Sequence, residues 1–316
     1  MHGAAHKPGA IPLRPLNLGD IYDGAFRTIR FNPRATVGSA VLVAAGAMAL
    51  PVLLTALLTL LVDLTASGSG DLSDAEAIAA IGTGGALVVG ALLQGVGVIF
   101  VTGMVAHVVA AAATGRRLSL GQAWAATRGS RWRLVGLTLL LGLMFLGVLA
   151  AYVAVWVVVA VTAPVAVIVV FGVVTVPAFL VFLCWWWVRV YYLPVPALML
   201  ERIGVAAAIG RGFGLTRRQF WRTFGIALLT VIVTGVAGSV LAAPFSIAGQ
   251  IAPVALEGSQ YVALVTVVLA ALGSVVQIAF VTPFSAAVAS LQYLDQRMRK
   301  EAYDVELMAQ SGIPAS

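Results

Sequence analysis

Few side chains in this chain could do chemistry, and they are scattered. Catalysis needs convergent polar groups such as a metal cage, a nucleophile with its base, or a carboxylate pair. The three histidines are His2 and His6, in a start rich in Gly, Ala and Pro, and His107, in an apolar run. His2 and His6 stand four apart, but on a segment where helix is not expected, so no metal site is predicted there. Cys184 is the only cysteine, which excludes an intrachain disulfide and a cysteine-based metal site. The runs Gly82-Thr-Gly-Gly85 and Gly95-Val-Gly97 lack the preceding strand and following lysine of a phosphate-binding loop. Close packing between helices explains them better, and no cofactor is expected.

Two ionisable residues lie near membrane depth, where such groups are functional candidates by default. His107 precedes Arg116 by nine residues, about 13 Å of helix, and reads as a structural histidine bonded to a neighbouring helix. Arg189 sits between Trp185-Trp-Trp187 and Tyr191-Tyr192, an aromatic belt of the membrane interface. It either snorkels to headgroups or pairs with Glu201, if Pro194 and Pro196 bend the chain back. Gln94 and Gln277 read as hydrogen-bonding contacts between helices. An intramembrane enzyme would require His107, Arg189 and Glu201 to converge, and the expectation is that they do not. No Asp or Glu lies deep in an apolar stretch, which also disfavours an ion-coupled carrier.

The elements that position these residues follow from the charge pattern. Of nineteen Lys and Arg in 316 residues, all but Arg189 fall into four clusters: Lys7 to Arg34, Arg116 to Arg133, Arg202 to Arg222 and Arg297 to Lys300. Between them run uncharged stretches at 35–62, 77–115, 134–188, 223–256 and 258–294. A spanning helix takes about 20 apolar residues, so the stretch 134–188 holds two helices and the total is six. Predicted spans are 35–62, 83–113, 134–158, 166–193, 223–247 and 262–294. With 61% hydrophobic and 10% charged residues, a mean hydropathy of +1.03 and a pI near 10.1, the chain reads as an all-α polytopic membrane protein.

Basic residues mark the cytoplasmic side. Six spans with both termini inside put every cluster in the cytoplasm and Asp63, Asp71, Asp74, Glu76 and Glu257 outside. The arginines alternate with Trp, Phe and Leu beside spanning segments, which points to anionic lipid headgroups and not to nucleic acid.

The clusters before the first, third and fifth spans resemble one another. Each ends in a basic residue a few positions before a glycine: Arg34 with Gly38, Arg133 with Gly136, Arg222 with Gly225. Trp132 and Trp221 stand beside the last two of these arginines. In the first copy Leu18, Ile21, Tyr22, Ala25, Phe26 and Ile29 recur at helical spacing, as do Val205, Ala208, Ile209, Gly212 and Phe213 in the third. Each copy therefore reads as a short amphipathic interfacial helix followed by a transmembrane hairpin, repeated in the same orientation. The expected division is a disordered tail at 1–15, a membrane domain at 16–296 with repeats at about 16–113, 116–200 and 201–296, and a cytoplasmic tail at 297–316.

The run Arg189-Val-Tyr-Tyr-Leu-Pro-Val-Pro-Ala-Leu-Met-Leu-Glu201, with Ala206-Ala-Ala-Ile-Gly-Arg211, Leu215-Thr-Arg-Arg-Gln-Phe-Trp-Arg222 and the opening Leu16-Asn-Leu-Gly-Asp-Ile-Tyr-Asp-Gly-Ala-Phe-Arg27, resembles the bacterial glycerophosphoryl diester phosphodiesterase membrane-domain family. Some members of that family carry a soluble catalytic barrel. A barrel of that kind needs about 250 residues, for which this chain has no room outside its spans. The resemblance implies the membrane module alone, in a bacterial inner membrane. The expected function is a non-enzymatic scaffold or accessory protein contacting lipids and a membrane or cytoplasmic partner protein through Arg34, Arg133, Arg222, Trp132 and Trp221. The alternative is a translocator or binder of lipids or small amphiphiles, which would show a polar furrow open to lipid.

Overall fold

The computed structural model describes residues 9–66, 72–259 and 261–310. Every regular element among them is helical. Six helices are long and apolar enough to cross a membrane, and the protein is an all-α, multi-pass integral membrane protein.

The element order repeats a short helix followed by a long hairpin. First come α1 (Leu18–Phe31), α2 (Ser39–Ala66) and α3 (Leu72–Ala113), then α4 (Leu120–Ala126), α5 (Arg131–Thr162) and α6 (Val165–Trp186). After the connecting helix α7 (Pro194–Glu201), the third set is α8 (Val205–Thr216), α9 (Phe220–Ala255) and α10 (Val262–Glu301), with α11 (Tyr303–Gln310) closing the chain. Local chemistry fixes the short helices. Asn17 caps α1 through its side chain and Asp20 reaches back to the Asn17 amide, and Ser119 and Gln122 make the same reciprocal cap for α4. Helix α1 stops at Phe31 because Asn32 precedes Pro33 and takes a non-helical conformation. The predicted Arg34-to-Gly38 interval is a single π-helical turn leading into α2. Its counterparts at Arg133 and Arg222 lie in ordinary α-helix.

Several boundaries differ from expectation. Helix α3 begins at Leu72 and not near 83, α5 runs on to Thr162, and α9 reaches Ala255 through Pro244 and Pro253. The connection predicted at 248–260 is therefore mostly helix, since the apolar run continues and a helix can absorb proline where neighbours resatisfy the freed carbonyl. Helix α10 runs past 294 to Glu301, sustained by good helix formers and the i,i+4 pairs Asp295–Arg299 and Arg297–Glu301. Residues 297–310, expected in a tail, instead complete α10 and form α11, whose Leu307 is buried. Ile11, Leu13 and Leu16 are buried as well, so the end of the predicted N-terminal tail belongs to the core. His2, His6 and residues 311–316 lie outside the described residues, as do the side chains of Asp63, Asp71, Asp74 and Glu76.

Helix α10 is the axis of the molecule and packs against α9, α2, α3 and α1. Glycines let the backbones approach. On α3, Gly82, Gly90 and Gly97 face Leu58, Pro51 and Val43 of α2, where an added Cβ would come within 2.5, 2.3 and 2.1 Å of those side chains. Gly238 of α9 lies under Gln277 and Val281 of α10. This is the small-residue packing expected of spanning helices, which lack a hydrophobic drive toward one another. The second hairpin is different. The first turns of α5 bury Leu134, Leu137 and Leu141, whereas α6 buries nothing. Helices α5 and α6 meet through aromatic rings, with Tyr152 stacked on Phe179 at 3.9 Å and Trp156 edge-on to Phe171 at 5.2 Å.

The amphipathic faces of α1 and α8 are partly turned inward. Helix α1 buries Ile21, Gly24, Ala25 and Thr28, with Ile11 and Leu291 against Gly24, while Phe26 stays half exposed beside Phe284. Helix α8 buries Ala208, Gly212, Leu215 and Thr216 and leaves Phe213 partly exposed.

Replacing Gly97 with Leu is expected to separate α2 from α3 and lower the melting temperature of the detergent-solubilised protein by several degrees. Gly95→Leu, at a position with no neighbour within 4 Å, leaves it unchanged. Equal melting temperatures for the two variants would contradict the assigned packing face.

Candidate functional site at the arginine-rich end

The short helices, the starts of α2, α5 and α9, and the ends of α3 and α10 gather at one end of the bundle. This end carries almost all the charge, and its strongest feature is a buried carboxylate. Asp295, fully buried, accepts from the Leu16 amide (2.7 Å), from Arg299 Nε (3.0 Å) and from Arg222 Nη1. Both arginines also donate to the Leu16 carbonyl, Arg222 at 2.6 Å and Arg299 at 2.9 Å. One carboxylate and one peptide unit thus hold two guanidinium groups. Such charge-assisted, multiply bonded pairs are the arrangement in which a buried charge is tolerated. Around it, Gln292 donates to Tyr192 Oη and Gln296 to Thr223 Oγ1, each at 3.3 Å.

A second network lies one turn away. Arg211 donates to Glu201 at 2.8–3.0 Å and to Glu301 at 2.7 Å. Tyr293 donates its hydroxyl to the same Glu201 oxygen, and Arg297 bonds Glu301 while lying over the Tyr303 ring. Burial works against the charge of Arg211, but its hydrogen bonds to Glu201 and Glu301 outweigh this and hold its pKa above the ordinary arginine value.

The sequence candidates are therefore distributed as follows. Glu201 is engaged, but by Arg211 and not by Arg189: the turn at Pro194 does reorient the chain, yet α8 folds back to present Arg211 first. Arg189 lies in a π-helical turn (Trp187–Tyr191), donates to the Phe213 carbonyl at 3.3 Å and stacks over the Phe213 ring. His107 is only partly buried, but its Nε2 is buried without a partner among the described residues, so the bond expected of that atom is not made. Arg189 and Glu201 thus hold different partners, and no catalytic triad with His107 is assembled. Gln277 packs over Gly238, and neither it nor Gln94 makes an interhelical hydrogen bond among the described residues. Arg133 donates to the Arg202 carbonyl at 3.0 Å. Trp132 and Trp221 are 85% and 79% exposed. Arg34 is exposed and makes no ion pair among the described residues. No three His, Cys, Asp or Glu converge as metal ligands among the described residues.

Sequence reasoning missed Asp295, Arg299, Tyr293 and Arg211. The available signal was an acid placed immediately after a 37-residue uncharged stretch and flanked by Gln292 and Gln296, a polar run too rich to be mere anchoring.

Several recesses open near this end, two of them with largely apolar linings. A groove of about 970 Å³ separates the α1–α2 junction from the start of α4. A smaller cleft of about 350 Å³ lies among α3, α5, α7 and α10, lined by Thr102, Thr138, Tyr192, Thr282 and Ser285 together with apolar side chains.

Comparison with known proteins leaves the chain without a neighbour. No protein-family profile, curated protein or solved structure matches it. None of these comparisons bears on the family resemblance of the runs at 16–27, 189–201, 206–211 and 215–222.

Asp295→Asn is expected to destabilise the protein by about 3 kcal/mol, the scale for breaking a buried ion pair. Arg222→Gln combined with it should be clearly less than additive, because the two remove one interaction. Denaturant titration of the four proteins of this cycle in detergent checks both points, and additive losses would show that the pair is not coupled.

Proposed function

We propose that this protein is a non-enzymatic integral protein of a bacterial inner membrane, built on the membrane-domain module that its sequence resembles, with both ends of the chain in the cytoplasm. It acts as a scaffold or accessory protein that engages anionic lipids, and through the same arginines a partner protein, at its inner face. The observation that carries this reading is the pair of uncovered indoles. Trp132 and Trp221 open α5 and α9 at matching positions, each adjoins an arginine, and the protein leaves both almost wholly exposed. Tryptophan favours the headgroup level of a bilayer, and each arginine of this end that has no counter-ion adds about 1 kcal/mol of attraction to an anionic leaflet.

The fate of the carboxylates supports the same reading. Asp295, Glu201 and Glu301 are consumed in ion pairs with arginine, which suits them to holding helices together and not to proton transfer. Arg34, Arg116, Arg128 and Arg218 make no ion pair among the described residues and remain available to phosphate groups or an acidic protein surface.

A second reading, binding or translocation of an amphiphile, is favoured by the cleft lined by Thr102, Thr138, Thr282 and Ser285. It expects accelerated exchange of a fluorescent lipid between leaflets of reconstituted vesicles, whereas a scaffold leaves that rate at the level of protein-free vesicles.

The lipid reading is tested by quenching tryptophan emission with brominated lipids in nanodiscs. Brominated phosphatidylglycerol is expected to quench more than brominated phosphatidylcholine at equal mole fraction. The excess should shrink in 0.5 M salt, where the Debye length falls to about 4 Å, and in the double variant Trp132→Phe, Trp221→Phe. Equal quenching by the two lipids would remove the basis for an anionic-lipid function.

A further inference from the structure

The three arginines that close the repeated clusters are not equivalent in the folded protein. Arg133 donates to the carbonyl of Arg202, and Arg222 donates to the carbonyl of Leu16, so each reaches a neighbouring unit of the chain. Arg34 has the corresponding place at the head of α2, but its side chain bonds no carbonyl of the neighbouring unit among the described residues. Beside the Asn32–Leu118 hydrogen bond that joins the two units, a 970 Å³ groove opens between Arg34 and the Arg117 to Gly121 segment. Where the other two arginines meet a carbonyl of the next unit, Arg34 faces open space.

The lining of that space is amphipathic from one end to the other. Arg34 and Arg117 stand at its mouth, and Gly38, Val41 and Leu42 continue it along α2. Eight residues of helix separate Arg34 from Leu42, about 12 Å along the axis, so the groove runs from the headgroup level toward acyl chains. Arg117 is held in place by the Phe31 ring, 4.3 Å beneath its guanidinium, and makes no ion pair among the described residues. Arg30 lies just beyond, in a smaller polar recess that shares Phe31 and Arg117. Asn32, which also lines the groove, is 4% exposed. Its Oδ1 accepts the Leu118 amide at 3.0 Å, leaving Nδ2 buried with no acceptor. A buried amide donor without a partner is costly and calls for one. Guanidinium donors and an orphan amide at one end of an apolar trough match a phosphate diester carrying an acyl tail.

We propose that the groove between the α1–α2 junction and α4 is a binding site for one anionic phospholipid, its phosphate held by Arg34, Arg117 and Asn32 Nδ2 and an acyl chain lying along Gly38, Val41 and Leu42. The site rests on the reading that this end of the protein meets anionic lipid, and it adds a resident molecule to that general attraction. The lipid adds a contact between Arg34 and the second unit beside the Asn32–Leu118 hydrogen bond.

The experiment is native mass spectrometry of the full-length protein released from nanodiscs of phosphatidylglycerol and phosphatidylcholine in equal parts. The proteins compared are the wild type, Arg34→Gln with Arg117→Gln, Val41→Trp, and Arg202→Gln with Arg217→Gln as a control outside the groove. The wild type and the control are expected to retain one phosphatidylglycerol. The groove arginine pair, having lost two phosphate contacts, and Val41→Trp, whose indole fills the tail channel, should each retain it at least tenfold less. All four should keep melting temperatures within a few degrees, since neither groove arginine makes a hydrogen bond within the described protein. Retention unchanged in the groove variants overturns the site, and loss in the arginine pair alone overturns the placement of the tail. If the wild type retains no lipid while brominated phosphatidylglycerol still quenches Trp132 and Trp221 preferentially, the groove assignment fails and the general lipid reading stands. If neither is seen, both fail.

Discussion

The arginine-rich end is organised around the burial of one carboxylate. Asp295 is fully withdrawn from water on the most central helix, and a bare carboxylate there would be strongly disfavoured. Its charge is compensated only when Arg222 at the head of α9, Arg299 one turn along α10 and the Leu16 peptide are all in place. The requirement therefore fixes the rotation of α9 against α10, the depth of α10 and the path of the chain into α1. Because α1 then lies on α10, the position of its polar face and of the groove beyond Asn32 follows from the same constraint.

Polar pairing and glycine packing divide the work by depth. Toward the middle of the bilayer the helices are held by notches such as Gly90 and Gly97, where backbones approach and dispersion contacts accumulate. At the arginine-rich end, where water and headgroups are near, hydrogen-bonded ion pairs take over. The middle hairpin has neither device over most of its length. It is tied at its base through Leu134, Leu137 and Arg133, while α6 stands with its surface open to surrounding acyl chains.

The six spans and the alternation of short helices with hairpins were legible because both follow from bulk quantities, the length of apolar runs and the spacing of charge. The existence of α1 and α8 followed from periodicity, and of the α3 glycines read as packing surfaces Gly82 and Gly97 face α2 whereas Gly84, Gly85 and Gly95 have no neighbour within 4 Å. The sequence did not reveal which arginine meets which acid. Asp295 stands among basic residues and reads locally as part of an anchoring cluster, yet its partners are a peptide unit 279 positions away and an arginine 73 positions away. Of the two readings of Arg189, headgroup snorkelling or a pair with Glu201, the second rested on a turn suggested by proline. The turn exists, but the competition between Arg189 and Arg211 is decided by how α8 lies, which no local pattern records. The groove likewise depends on how α4 lies against the α1–α2 junction, which neither segment records by itself.

The clamp on Leu16 also sets an order of events during synthesis. Chains enter the membrane from the N-terminus, at roughly 5–20 residues per second, and the hairpins α2–α3 and α5–α6 are complete long before residue 295 has been translated. Until then the Leu16 peptide lacks its carboxylate and Arg222 lacks its counter-ion, so the first segment and the head of α9 are held loosely at the membrane surface. The last span converts this open assembly into a closed one. A chain truncated before Asp295 would still hold the apolar part of all six spans and yet lack the residue that fastens its beginning to its end.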